Sequence, residues 1–379
     1  MSEYGLKQHF TGECAREIAK RINQGSFRID TENYAAAVDA KVEGLELKDR
    51  VLILADELRK RLPDDYLDAL DILVDSLGAE LREGEGMFNE SWFLMPVARF
   101  VEEFGLDHPE RSLAAIEEIT KSHTGEYAIR PYLRQWHELT MQTVESWAGS
   151  KSHNVRRLAT EGIRPRLPWH SRFEPFIKDP RPVIKIIDRL VEDESHYVRT
   201  SVANNLNDIS KDHPELAIKT AKRWLAEAKN QKRALWVVTK GLRGLIKAGN
   251  PAALALVGAE PDPSICVSDV RLSTSTPQVG QGMEISARIR NSGDEARDVV
   301  VDYQVYFRRA NGELRPATFR LGRVRVGPRS SEVVSKRHSF KVVKTRTYYP
   351  GEQGLTVQAN GAPTDMIPFV LEAGHATGD

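Results

Sequence analysis

The chain has 379 residues, 40% of them hydrophobic, and it carries 54 basic and 54 acidic residues, so its formal net charge is zero. A chain of this length can bury the cores of two or three domains without disulfide or metal support, and its two cysteines, Cys14 and Cys266, form neither a CxxC pair nor a Cys/His cluster. The N-terminus lacks an apolar signal segment and no later run is long enough to cross a bilayer, so we expect a cytoplasmic protein with no membrane partner.

The zero net charge conceals an uneven distribution along the chain. Positions 1 to 120 contain 14 basic and 26 acidic residues, which leaves 40 basic and 28 acidic residues in the remainder. Residues 151–172 contain six basic residues and a single acid, Glu161, and residues 315–346 contain ten basic residues and a single acid, Glu332. Either segment alone is compatible with a solvated surface, whereas two of them in different domains favour nucleic acid as the partner.

The first third of the chain has the apolar spacing of helices. Apolar residues recur at helical intervals between Ala15 and Leu81, and the same pattern resumes at Pro96. Between these two segments the glycines at positions 84 and 86 interrupt the pattern. They predict a loop with a packing or functional role.

From Asp107 onward the chain repeats itself. Asp-His-Pro-Glu occurs at 107–110 and again at 212–215, and Ser152-His-Asn-Val-Arg-Arg is echoed by Ser195-His-Tyr-Val-Arg-Thr. An apolar residue followed by arginine at the start of the second helix of a pair is typical of HEAT-like repeats. We therefore predict helix pairs near 111–135, 137–163, 180–210 and 214–247, with the proline-broken basic loop 164–172 as an insertion.

After Pro261 and Pro263 the helical spacing gives way to alternation of apolar and polar residues, which predicts strands. About seven alternating runs, separated by turn signals such as Asn291-Ser-Gly, indicate an Ig-like sandwich. The predicted fold is therefore mainly α, with a HEAT-like helical repeat solenoid over residues 1–260 followed by an Ig-like β-sandwich over 264–372. A disordered tail is predicted at 373–379.

Three carboxylates stand out against their surroundings. Glu161 is the only acid in the first basic segment, and helical spacing puts it on one face with Asn154, Arg157 and Arg164, where it either serves chemistry or forms a structural pair with one of the arginines. Asp208 shares a polar stripe with Ser201, Asn204 and Asn205, although a helix cap or a contact between repeats would also explain it. Glu126 is most simply an acid in the first turn of a helix.

Trp169 lies in the proline-broken loop, where it has no helical face to fill and could stack on a base or a sugar. The tryptophans at 136, 147, 224 and 236 fall within helical patterns and are predicted to pack in the core. The histidines show no metal-binding spacing, so neither a metal nor a cofactor is expected.

Long stretches of the chain resemble the AlkC-type alkylpurine DNA glycosylases, HEAT-like-repeat enzymes that excise N3-methylated bases. The resemblance covers nearly the whole chain and is most specific in Glu126-Tyr-Ala-Ile-Arg-Pro, in the segment from Val155 to Trp169, and in the segment from Val202 to Pro214. It implies a monofunctional glycosylase of base excision repair that acts on 3-methyladenine, with 3-methylcytosine as a further candidate, and excises the base without full flipping. The substrate would be duplex DNA containing alkylated bases, bound by a monomer with no obligate protein partner.

The resemblance also implies roles for individual residues. Glu126, Glu161 and Asp208 look like the carboxylates that face the lesion, and we expect them to converge in one cleft. A Glu161→Gln change is expected to abolish most base release and to leave folding nearly intact. The residues expected to contact DNA or the lesion are Arg130, Arg156, Arg157, Arg164, Arg166, Trp169, Arg172, Arg199, Asn204 and Asn205.

Two other classes of protein remain compatible with the sequence. A non-enzymatic HEAT scaffold could bind DNA or an acidic partner on a concave basic surface and use the carboxylates only for packing between repeats. A HEAT-like chromophore lyase or protein-binding adaptor would explain the repeats but not the two basic segments. Base release from methylated DNA by the wild type and by Glu161→Gln distinguishes these alternatives.

Overall fold

The computed structural model describes residues 3–83, 91–259, 262–342 and 346–374. The loop predicted around positions 84 and 86 and the last five residues of the predicted tail lie outside these ranges.

The described part of the first hundred residues forms short helices, three of which begin at side-chain caps. Asp30 and Asp65 accept hydrogen bonds from the backbone N–H groups of the first turns that follow them, which supplies partners to donors that a helix leaves unbonded. The helices are α1 (Glu3–Leu6), α2 (Gly12–Ile22), α3 (Thr31–Val42), α4 (Leu47–Arg59), α5 (Tyr66–Asp75) and α6 (Met95–Phe104).

The repeated sequence motifs begin helices at equivalent places. Ser152 accepts a hydrogen bond from the N–H of Val155, and Ser195 accepts one from the N–H of Val198, so both copies of the Ser-His motif start with the same cap. Each predicted helix pair contains helices: α7 (Pro109–Ser122) and α8 (Ile129–Gln135), α9 (His137–Trp147) and α10 (His153–Glu161), α12 (Arg181–Ile187) and α13 (His196–Ile209), and α14 (Pro214–Glu227) and α15 (Gln231–Gly241). Shorter helices complete this region: α11 (Glu174–Lys178), α16 (Arg243–Lys247) and α17 (Pro251–Leu256).

Residues 78–83 run from the first helices to the repeats. The side chain of Ser122 donates to the carbonyl oxygen of Gly78, and that of Asn154 donates to the carbonyl oxygen of Leu81. Glu80 accepts a hydrogen bond from Ser152, and Glu83 accepts one from Ser195 at 2.8 Å. This segment therefore crosses the N-terminal ends of both α10 and α13.

The C-terminal region is built from two antiparallel sheets that share one apolar core. One sheet has the order β1-β2-β5, and the other has the order β4-β3-β6-β7 with β8 paired to β6. Alternate residues of the central strands, such as Ile285 and Ile289 of β2 and Val301 and Val305 of β3, point into this core. The strands are β1 (Ile265–Leu272), β2 (Gly282–Asn291), β3 (Arg297–Arg308), β4 (Leu314–Val326), β5 (Ser331–Ser339), β6 (Gly351–Ala359), β7 (Ala362–Pro363) and β8 (Ile367–Leu371).

The chain divides into two compact units, and the boundary between them does not coincide with the change from helices to strands. One unit takes the chain up to Asp212 together with Glu227–Val237, and the other takes His213–Ala226 together with the chain from Val238 onward. Within the second unit the Gln358 side chain donates to the carbonyl oxygen of Lys247, and Gly249 meets Gly361 so closely that a Cβ on Gly361 would lie 3.0 Å from the Cα of Gly249. The last helices thus pack with the strands.

In the described ranges, the helices are all too short or too polar to cross a membrane.

Candidate active site

Two arginines join the three predicted carboxylates into one row. Arg157 donates to Glu126 Oε2, and its second terminal nitrogen lies 3.4 Å from Glu161 Oε1. Arg164 donates to Glu161 Oε1 at 2.7 Å and to Asp208 Oδ2 at 2.9 Å. All five side chains are buried, with at most 11% exposed. Glu126, Arg157, Glu161, Arg164 and Asp208 therefore form a buried row in which acid and base alternate.

Helix geometry explains much of this arrangement. Arg157 and Glu161 are four residues apart on α10, so both project from the same face, and Arg164 follows the end of that helix. Asp208 projects from the last turn of α13, which packs beside α10. Glu126 lies in the short segment before α8. Glu161 thus pairs with both neighbouring arginines, and through them it also lies close to the other two acids. From the sequence alone the structural pair and the cluster of acids are alternatives, but both are present.

The charges of the row reinforce one another. Burial alone would raise the pKa of the Glu161 carboxyl, but Arg157 and Arg164 outweigh burial and hold that pKa below its ordinary value. Burial likewise opposes the charged form of Arg157, whereas Glu126 and Glu161 raise the pKa of its guanidinium. Glu161 is therefore an ionised carboxylate at neutral pH.

Hydroxyl and amide groups fix the orientation of Glu161. Ser201 donates to Glu161 Oε2 at 2.6 Å, and Thr160 donates to Ser201 at 2.6 Å. The amide of Asn205 donates to the carbonyl oxygens of Thr160 and Ser201, and its side chain is fully buried. Asn205 therefore ties α13 to α10, which corrects its predicted role as a contact to DNA. Asn204, its predicted companion, is half-buried.

Two tyrosines flank the row, and the sequence reasoning had missed both. Arg157 lies over the ring of Tyr197 with its guanidinium carbon 5.0 Å from the ring centre, and Tyr127 directly follows Glu126. Burial, together with the nearby charge of Glu126, raises the pKa of Tyr127. Comparison of the repeats could have found Tyr197, because this position is Asn154 in the first copy of the motif. The two motifs are otherwise similar, and the residue that differs in the second copy, Tyr197, is the one that contacts Arg157.

The loop that carries Trp169 is held in place from beneath. Arg130 has no exposed surface and donates to the carbonyl oxygens of Gly162, Arg164 and Ser171, so it anchors the loop and cannot reach DNA as predicted. Lys48 donates to the carbonyl oxygen of Trp169, whose φ of 60° is unfavourable for a large side chain. The Trp169 ring remains 41% exposed, as a stacking surface requires.

The arginines of the repeated motif are also structural. Arg156 donates to the carbonyl oxygens of Ser150 and Lys151, and Arg199 donates to those of Asp193 and Glu194, five and six residues before each arginine. Arg156 also forms a bidentate pair with Asp193. Both arginines therefore anchor the loop before each helix, which is a different role from the contact with DNA that the resemblance implies.

The other basic residues of the predicted set differ in accessibility. Arg157 and Arg164 belong to the buried row, so they meet carboxylates and not phosphates. Arg166 forms a bidentate pair with Asp212 and is 18% exposed, whereas Arg172 is exposed. Arg172 is the predicted arginine most accessible to a phosphate backbone. The described side chains include no group of three or more His, Cys, Asp or Glu arranged to hold a metal ion.

Two family models match the chain. One, described as DNA alkylation repair enzyme, matches residues 111–238, which include the entire buried row. The other, described as the C-terminal Ig-like domain of the uncharacterised protein YhaZ, matches residues 266–373.

Whole-chain relatives agree with these matches. The uncharacterized protein YhaZ of Bacillus subtilis is 36% identical over 325 residues, which cover 86% of this chain and 87% of that protein. The alkylpurine DNA glycosylase AlkC of Pseudomonas fluorescens, solved bound to DNA containing an abasic site analogue, superimposes with a TM-score of 0.88 at 28% identity over 97% of this chain and 99% of that one. The chain therefore belongs to the DNA alkylation repair enzyme family and carries the YhaZ-type Ig-like domain at its C-terminal end.

Proposed function

We propose that this protein is a monofunctional DNA glycosylase that hydrolyses the N-glycosidic bond of N3-methylated bases in duplex DNA. Its substrate would be 3-methyladenine, with 3-methylcytosine as a second candidate. The buried row that joins Glu126, Glu161 and Asp208 is the observation that carries this proposal. The likeness to AlkC, which was solved on abasic DNA, supports it.

The charge of the row suits this chemistry. Three carboxylates and two guanidiniums leave one formal negative charge in a place from which water is largely excluded. A further cation, the half-exposed Lys211, reaches Asp208 at 3.2 Å from the solvent side. Cleavage of the bond to a methylated base passes through a sugar with oxocarbenium character, and a fixed negative charge stabilises that transition state. The arginines hold the acids close together, which their mutual repulsion would otherwise oppose.

The acids differ in what they can do. A general base works best with a pKa near the operating pH, so Glu161, with its pKa held low, is suited to electrostatic stabilisation. Both oxygens of Glu161 accept hydrogen bonds from protein groups, whereas Arg157 and Thr124 both bind Glu126 through Oε2. We assign to Glu126 the positioning of the attacking water and to Asp208 the support of Arg164.

The rest of the molecule is assigned to binding. We propose that the helices of residues 1–260 form a HEAT-like array that works as the glycosylase domain. The Ig-like region would add positive surface against the phosphate backbone. The enzyme would act as a monomer without an obligate protein partner or a cofactor.

Release of free base from methylated duplex DNA tests the proposal. The purified protein, with and without a chelator, is incubated with the DNA, and the released bases are identified by chromatography and mass spectrometry. We expect 3-methyladenine to be released at equal rates in both samples. Activity that is lost with chelator and restored by a divalent ion would refute the metal-free mechanism, and absence of release in every sample would favour the DNA-binding scaffold.

A further inference from the structure

A cleft next to the carboxylate row is not used by the mechanism above. It lies within the first compact unit and has a volume of about 110 Å³. Its walls include Val51 of α4, Met95 and Ala98 of α6, and the aromatic side chains of Tyr127, Trp169 and His170. An apolar cavity of roughly 150 Å³ holds benzene. This cleft is smaller but opens to solvent beside the exposed ring of Trp169, so it can take one edge of a planar heterocycle while the rest lies at its mouth.

The aromatic residues form a surface suited to stacking. The rings of Tyr127 and His170 are nearly parallel, with an angle of 12° and ring centres 6.2 Å apart. Trp169 lines the same cleft on a backbone with a φ of 60°, and Lys48 holds its carbonyl oxygen. An unfavourable backbone conformation that neighbouring groups maintain is often associated with a functional position.

Thr124, like Tyr127, connects the cleft to the buried row. Thr124 lines the cleft, and its hydroxyl oxygen lies 3.2 Å from Glu126 Oε2 and 3.1 Å from the guanidinium nitrogen of Arg157. A ring in the cleft would therefore lie directly beside the row of carboxylates.

The charges of the lining discriminate between the two forms of a methylated base. In DNA an N3-methylated adenine carries a positive charge, and the cleft is lined by Lys48, Arg99 and a single carboxylate, that of Glu102, which Arg99 pairs at 2.8 Å. Burial lowers the pKa of His170 to about 4, so this histidine is neutral at pH 7. The carboxylates of the buried row attract a cationic base, whereas a neutral base is stabilised by contact with the apolar walls of the cleft.

Hydrolysis converts one form of the base into the other. The oxygen of water bonds to the sugar C1′, the C1′–N bond breaks with its electron pair going to the base, and a proton of the water is released. That electron pair cancels the positive charge of the base. We propose that the cleft lined by Tyr127, Trp169 and His170 binds the released, neutral methylpurine after cleavage. This inference rests on the proposed glycosylase function, because it takes the product of that reaction as its ligand.

Titration of the full-length protein with free 3-methyladenine, in the absence of DNA, tests the inference by calorimetry. We expect saturable binding to the wild type, at least tenfold weaker binding to Tyr127→Leu, and unchanged binding to Trp136→Leu. Trp136 serves as the control because its ring lies outside the cleft and, contrary to the core packing predicted for it, is 38% exposed. If Tyr127→Leu fails to fold, Met95→Trp, which fills the cleft from another wall, replaces it with the same expectation.

The result separates the two proposals when base release is measured on the same preparations. The assignment of the cleft would be overturned if the wild type showed no saturable binding at millimolar base, or if Tyr127→Leu and Met95→Trp bound the base as tightly as the wild type does. If the same protein still released base from DNA, the glycosylase proposal would stand. Binding by a protein that releases no base would overturn the glycosylase proposal and, with it, the assignment of this ligand as a product.

Discussion

At the scale of single residues, Glu161 is more enclosed than its sequence position suggests. Its side chain is 6% exposed and is bonded to Arg157, Arg164 and Ser201. The sequence predicts that Glu161→Gln leaves folding nearly intact. Burial corrects that expectation, because the neutral amide leaves two buried guanidiniums with one anion fewer.

We therefore expect Glu161→Gln to affect both chemistry and stability. The single-turnover rate of base release should fall by on the order of a hundredfold or more, because the charge that we propose to face the oxocarbenium ion is lost. The free energy of unfolding should fall by about 3 kcal/mol, as is typical when one partner of a buried ion pair is removed. Rapid-quench assays and urea denaturation measure the two effects.

Glu57 provides a matched control for the loss of stability. Its side chain is 5% exposed and pairs with Lys41, Lys60 and Arg61, far along the chain from the row. Burial opposes ionisation of this carboxyl, but hydrogen bonds from those three residues lower its pKa to about 2. Glu57→Gln should lose stability and keep its rate. A Glu161→Gln enzyme as fast as Glu57→Gln would remove Glu161 from the mechanism.

The arginines show what charge patterns in a sequence leave undetermined. Resemblance placed the carboxylates, and the contacts bring Glu126, Glu161 and Asp208 together through Arg157 and Arg164. The same reasoning assigned Arg130 to DNA, although it is fully buried beneath the loop. A cluster of positive charge indicates attraction to an anion, but burial decides whether that anion is a phosphate, a carboxylate or a backbone carbonyl.

At the scale of elements, the two Ser-His motifs build the same device twice. In each copy a serine caps the helix and an arginine binds the carbonyl groups of the preceding turn. Helical periodicity predicted where these helices lie because it is a local property of the sequence. The crossing of both helix ends by residues 78–83 could not be predicted, since it depends on contacts between distant parts of the chain.

Arg199 and Arg172 should therefore respond differently to the same substitution. Arg199→Met loses two hydrogen bonds to backbone carbonyls and should lower stability by about 2 kcal/mol while leaving the salt dependence of DNA binding unchanged. Arg172→Met removes an exposed charge, so it should weaken DNA binding and leave stability unchanged. Thermal unfolding measures the stability of each variant, and titration with DNA at several salt concentrations measures its affinity. A stable Arg199→Met protein with weakened DNA binding, or an unstable Arg172→Met protein with normal binding, would contradict these roles.

The sandwich contains a histidine that should make it sensitive to acid. His338 is 4% exposed, meets Tyr303 OH through Nδ1 at 2.8 Å, and is surrounded by aromatic rings. Burial, together with the charges of Arg346 and Lys336, lowers its pKa to about 4 from an ordinary value of 6.5. Between these two values the unfolded chain binds a proton that the folded chain does not, so stability falls as pH falls.

We expect the sandwich to lose up to about 3 kcal/mol of stability as the pH decreases from 7 to 4. Urea midpoints, followed through the NMR signals of β2 and β5, measure this loss. In His338→Asn, which keeps a polar atom near Tyr303, the part of the loss due to this histidine should disappear. An identical pH dependence in the variant and in the wild type would show that other groups cause it.

At the scale of the whole molecule, the uneven charge predicts where DNA affinity resides. Arg323 of β4 and Arg337 of β5 are exposed in the second basic segment, and Lys20 and Arg28 are exposed in the acidic first third. Replacing the first pair by glutamine should reduce the slope of log affinity against log salt by about 2, because each phosphate contact contributes about 0.9. Replacing the second pair should change little, and equal effects of the two pairs would refute a directed role of the sandwich.

The division into units also has a consequence for exchanging parts between relatives. The match to the first family model ends at residue 238 and the match to the second begins at residue 266. The interval between them looks like a natural place to join sequences from different species. A chimaera joined there would separate Gly249 from its own Gly361 and Lys247 from its own Gln358, and any side chain at either glycine would force the two backbones apart. A junction at Asp212 would keep those pairs together, but it would separate Glu227–Val237 from the first unit, in which Asn230 and Arg233 both donate to Glu192. Recombination between members of this family should therefore tolerate a crossover at either place only when the residues that contact each other come from one parent.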